Sequence, residues 1–121
     1  MALDRSQFKV PVLPKKVIAF PPLGGEVIVR GLLLSEQLAN TTRQTAEREP
    51  QPGETEGEAV SRANGVMALR LLSQIVIDPE GKPLLSVQEW EALSATHPAE
   101  VFEFARTAAD FAIGGADAEK N

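Results

Sequence analysis

Cysteine is absent from the 121 residues, and with it go disulfide bonds and thiolate metal sites. Tyrosine is absent as well, and one tryptophan and five phenylalanines leave little of the anchor chemistry of a rigid, pre-formed interface. The single histidine, His97, has no second ligand at metal spacing. Beside Pro98, at a helix start, it reads as a turn or cap residue. No apolar run approaches the roughly 20 residues of a membrane span. Positive charge is not in excess: 12 basic against 17 acidic residues give a net charge of −5. A nucleic-acid binder needs a basic face to neutralise phosphates, so that class is disfavoured. Met1-Ala2-Leu3-Asp4-Arg5 lacks the basic-then-apolar order of a signal peptide, so no secretory leader is expected and a reducing cytoplasm fits.

What is present describes one soluble domain, with 43% hydrophobic and 24% charged residues. Its centre is Val66–Leu93, read as helix, turn, helix. Val66–Ile77 is apolar over most of a helical circumference, with Arg70, Ser73 and Gln74 gathered on one side, so other elements must cover it. Asp78-Pro79-Glu80-Gly81 ends that helix. Ser86-Val87-Gln88-Glu89 has the spacing of a capping box and starts the next, which carries Trp90 and Leu93.

Upstream, residues 1–14 read as an extended arm. Val17–Phe20 and Glu26–Arg30, joined by Pro21–Gly25, read as a β-hairpin that must lay one face on the helices. Ser35 is a candidate N-cap for a helix from Glu36 to about Glu47, the least buried of four. Glu47–Glu58 breaks all periodicity; five glutamates against one arginine make it the source of most of the net charge, and it reads as a flexible loop. Downstream, Pro98 suits a first helical position. Val101, Phe104, Ala105, Ala108, Phe111 and Ala112 form one stripe of a last helix reaching about Ile113, and Gly114-Gly115 should stop it and leave 114–121 as a tail. The expected architecture is α+β: about four helices with a small N-terminal hairpin packed on them, in a single domain over 15–113.

Catalysis finds no support. No GxSxG elbow surrounds any serine, Gly24-Gly25 lacks the Lys-Ser/Thr ending of a phosphate loop, and Asp78, Glu80 and Lys82 lack the length and carboxylates of a calcium loop. No cofactor or metal ligand set emerges, and the expectation is a non-enzyme. The Val101, Phe104, Ala108 and Phe111 stripe is the candidate partner-binding surface, with the core as its other use.

Three stretches together resemble the tail assembly chaperones of long-tailed, siphovirus-type bacteriophages. Pro22-Leu23-Gly24-Gly25-Glu26-Val27-Ile28-Val29-Arg30 before Leu34-Ser35-Glu36 is similar to the family's Pro-x-Gly-Gly-x-Val-x-Val-Arg hairpin and first helix. Leu71–Leu85 resembles its helix, Asp-x-x-Gly-Lys/Asn turn and following acidic helix. The last helix bears alanines and phenylalanines and leads to Ala-Glu-Lys-Asn. Leu23 and Leu85 stand where the family commonly has aromatics. The resemblance implies a protein that coats the tape-measure protein in the host bacterial cytoplasm, forms homo-oligomers, and is absent from the finished virion. It also implies a longer −1 frameshifted form whose extension meets tail-tube subunits. Codons for Glu119-Lys120-Asn121 are compatible with the slippery sequence GAA AAA AAC. The alternatives are a structural tail or head–tail connector protein, and a bacterial protein-binding adaptor.

Overall fold

The computed structural model describes residues 4–7 and 12–120, with side chains described as far as 114. The expectations for the rest of the 1–14 arm, and for Asn121, fall outside the described residues. A hairpin of β1 (Lys15–Phe20) and β2 (Gly25–Arg30) is closed by the short 3₁₀ turn Pro21–Leu23. Gly24, at φ 79°, supplies the left-handed residue that ends the turn, its N–H donating to the Pro21 carbonyl at 2.8 Å. Just past β2, a Cβ on Gly31 would lie 2.9 Å from the Pro14 ring, so only glycine lets these two backbones meet; the Gly31 N–H donates to the Pro14 carbonyl at 2.7 Å.

Four α-helices follow among the described residues: α1 (Leu34–Glu47), α2 (Glu56–Ile75), α3 (Val87–Thr96) and α4 (Pro98–Lys120). A third strand, β3 (Val76–Ile77), pairs antiparallel with β2 through Ile28–Ile77 and Val29–Val76, giving the sheet order β1-β2-β3. The fold is α+β and mostly helical, as expected from the sequence.

Four details differ from the sequence reading. Val76 and Ile77 leave the central helix to extend the sheet, because two β-branched residues before Asp78-Pro79 fit a pleat better than a helix end. The same helix begins ten residues earlier than Val66. Thr55 caps it, its hydroxyl accepting from the Glu58 N–H while the Glu58 carboxylate accepts from the Thr55 N–H. Ser35 does not cap α1; Leu33 holds the cap position, and Glu36 accepts its N–H at 3.0 Å. Finally, α4 runs through Gly114-Gly115 to Lys120, the strong helix formers Ala116, Ala118, Glu119 and Lys120 offsetting two glycines.

The core lies where α2 meets the other three helices and the sheet. Phe20, Trp90 and Phe104 form its heart, with ring centroids 4.6–6.0 Å apart. Val27 and Val29 from β2, Leu72 and Ile75 from α2, and Val101, Ala108 and Phe111 from α4 complete it.

Candidate functional site

The stripe expected to meet a partner is used by the monomer itself. Val101, Phe104, Ala108 and Phe111 are all buried in the common core, and Phe104 packs on both Phe20 and Trp90. Of the two uses the sequence left open for these four residues, partner contact and core, they serve the core: a helix stripe shows that something covers it, not what. The surface of α4 left to a partner is the adjoining face, which carries Phe102, Ala105 and Ala109.

That face lies beside α2, and between the two helices runs an apolar groove. One hollow of about 270 Å³ is lined by Gly65, Ala68, Leu69 and Leu72 from α2 and by Val101, Phe102 and Ala105 from α4, with Ser94 and Pro98 at one end. A second adjoins it, sharing Ala68, Phe102 and Ala105 and continuing over Leu71 and Ala109 to Arg106. Small side chains make its floor, and Phe102 stands on its rim, 68% exposed. Arg106 is the only charged residue lining either hollow. A Cβ added at Gly65 would meet no atom within 4 Å, so the groove is open above that glycine.

Polar side chains brace the helices around it. On α1, Asn40 is buried and exchanges amide hydrogen bonds with Gln74 of α2, at 2.8 and 3.3 Å. Arg70, buried on α2, donates to Glu47 at the end of α1, and this pairing holds the Glu47 carboxyl below the usual carboxylate range. Arg30 grips Glu36 with two parallel bonds of 2.8 Å and lowers its carboxyl similarly. Between α1 and α2, the connection read as a flexible acidic loop is shorter than expected, because Glu47 ends α1 and Glu56 begins α2. Arg62 gathers it, donating to the Glu47 and Glu49 carbonyls and to the Glu54 carboxylate.

The remaining candidates serve local geometry. The Asp78 carboxylate accepts from the Glu80 and Lys82 N–H groups at 2.8 and 3.0 Å, which builds a turn. His97 ends α3, its N–H donating to the Leu93 carbonyl at 2.7 Å and its ring 3.0 Å from the Thr96 hydroxyl. Among the described residues no three histidine, aspartate or glutamate side chains gather as a metal site requires. Glu119 and Lys120 fall in the last turn of α4.

Phe102, Gly65 and Ala68 were not singled out by sequence. The sequence stops short of them: Val66–Ile77 is apolar almost all round, which does not say which part of that circumference its neighbours leave open. No family model matches the chain, and neither does any curated protein or solved structure.

Proposed function

We propose that this protein is a tail assembly chaperone of a long-tailed bacteriophage, working without catalysis in the host bacterial cytoplasm. It holds apolar helical stretches of the tape-measure protein until tail-tube subunits enclose them, and it leaves before the virion is complete. The observation that carries this reading is the α2–α4 groove: an apolar helix left uncovered on one side, floored by glycine and alanine, with an exposed phenylalanine on its rim. Such a groove suits the apolar face of an amphipathic helix, and small floor residues allow close approach. The resemblance of the hairpin, the central turn and the final helix supports the same role. Many copies along one long template would turn weak single contacts into firm retention.

Phe102→Asp tests the contact, because the side chain is exposed and its loss leaves the core intact. Co-expressed with the tape-measure protein, this variant should leave most of that protein in the insoluble fraction, while its own circular dichroism matches wild type. Equal solubilisation by both would refute the assignment of the groove. Mass spectrometry of purified virions should find the tape-measure protein and not this chain. The gene should carry GAA AAA AAC at Glu119-Lys120-Asn121 with an open −1 frame beyond, and an early stop in that frame would remove the longer form.

A further inference from the structure

Among the described residues the sheet has one open edge, at β1. In the order β1-β2-β3, β1 pairs among the described residues with β2 alone, and every second N–H and C=O along it points away from β2. Among the described residues no backbone hydrogen bond from another segment reaches Lys15–Phe20. An edge of this kind is a template for a further strand. We infer that a second copy of this chain supplies it: two β1 strands pair antiparallel about a twofold axis at Val17, making one continuous six-stranded sheet.

Two features select that partner and that register. The first is apolar. Val17, Ile28 and Ile77 lie side by side across the three strands, on the face opposite Val27 and Val29, and Val17 ends the row 57% exposed. Val17 placed opposite its own copy continues the row across all six strands, as cross-strand apolar pairs favour. A one-residue slip would turn every side chain to the wrong face, so only registers that keep the face are open.

The second feature is charge. The edge is basic at its start, with Lys15 and Lys16. At its other end Ile18 and Ala19 line a hollow with Glu100 and Glu103 of α4. With Val17 opposite Val17, Lys16 falls opposite Ile18 and Lys15 opposite Ala19 of the second copy. Lys16 shares the helix-side face with Ile18, its ammonium lying 6.0 Å from the Phe111 ring centroid. In that register each Lys16, which in its own copy shares a hollow with Asp110 and Arg106, is set beside the hollow that carries Glu100 and Glu103 of the other copy, twice over by symmetry. A parallel pairing would set lysine beside lysine. Thr107 lines the hollows under both ends of the strand, so a short side chain lies beneath its middle, where the axis passes. The lysines that discourage indiscriminate pairing at this edge become partners in one arrangement only. The dimer is independent of what fills the α2–α4 groove.

The chain contains no cysteine, so Val17→Cys introduces a single thiol. Residues opposed on antiparallel strands have Cα atoms roughly 4.5–5.5 Å apart, within disulfide reach. Mild oxidation of the full-length Val17→Cys protein should give a cross-linked dimer on non-reducing gels. Leu38→Cys, equally exposed on α1, should stay almost wholly monomeric on the same gel. By sedimentation equilibrium the wild-type chain should be a dimer, and Lys16→Glu should raise its dissociation constant about tenfold, since like charges then face each other. A monomeric wild-type chain would overturn the inference, whichever segment lay on the edge. So would a dimer that Val17→Cys does not cross-link or that Lys16→Glu leaves unchanged.

Discussion

Trp90 is fully buried between Phe20 and Phe104, yet among the described residues its indole N–H has no hydrogen-bond partner. Its value to the fold is therefore packing, reduced by the cost of an unsatisfied donor. Trp90→Ala should destabilise by about 3–5 kcal/mol in denaturant unfolding, as large aromatic truncations in cores do. Trp90→Phe should lose less than half of that, because it removes the orphaned N–H together with part of the ring. An equal loss in both variants would mean that the donor is satisfied in solution. Glu54 gives a pH prediction. The Arg62 guanidinium holds its carboxyl down at about 2, with the Gln51 N–H adding to the effect. The folded chain then binds this proton less readily than the unfolded one. Any stability it contributes is present above the ordinary carboxylate range and is lost as pH falls towards about 2. Carboxyl NMR titration should place the Glu54 midpoint far below those of exposed glutamates, and Arg62→Ala should return it to the ordinary range.

The connection between α1 and α2 shows what the sequence hides at the level of elements. Its prolines, glycines and glutamates read as a loop, and within them Thr55-Glu56-Gly57-Glu58 carries the same capping-box spacing as Ser86–Glu89. The second box was legible because an apolar helix follows it at once; the first is masked by charge and by Gly57. Arg62, seven residues into α2, ties the connection down through two carbonyls and one carboxylate. Arg62→Ala should speed cleavage after Glu54 by a Glu-specific protease several-fold while the melting temperature barely moves. Unchanged cleavage would show that the connection is held by something else. Thr55→Ala should cost about 1 kcal/mol, the usual worth of an N-cap. The hairpin was legible from alternation and from Pro21–Gly25, and the stripe of α4 from its spacing. β3 was not, since two apolar residues after an apolar helix carry no period of their own. The groove was not legible either, because it belongs to two helices whose crossing the sequence does not state.

Across the whole molecule, the helix that is apolar almost all round lies at the centre of the core and is still not fully enclosed. α1, α3, α4 and β3 cover most of α2, and the side bearing Gly65, Ala68 and Leu69 opens into the groove beside Phe102. A monomeric fold with no use for that side would be expected to close it or make it polar. We propose that an apolar helix of the tape-measure protein lies there. Gly65→Leu tests this, because a Cβ at that position meets no atom within 4 Å, so the side chain starts in the open space of the groove, and leucine replaces a poor helix former with a good one. The measurement is the soluble fraction of co-expressed tape-measure protein, taken with the melting temperature of the variant. Tape-measure protein in the pellet, beside a variant that melts no lower than wild type, is the expected result; full solubilisation by that equally stable variant would contradict the account.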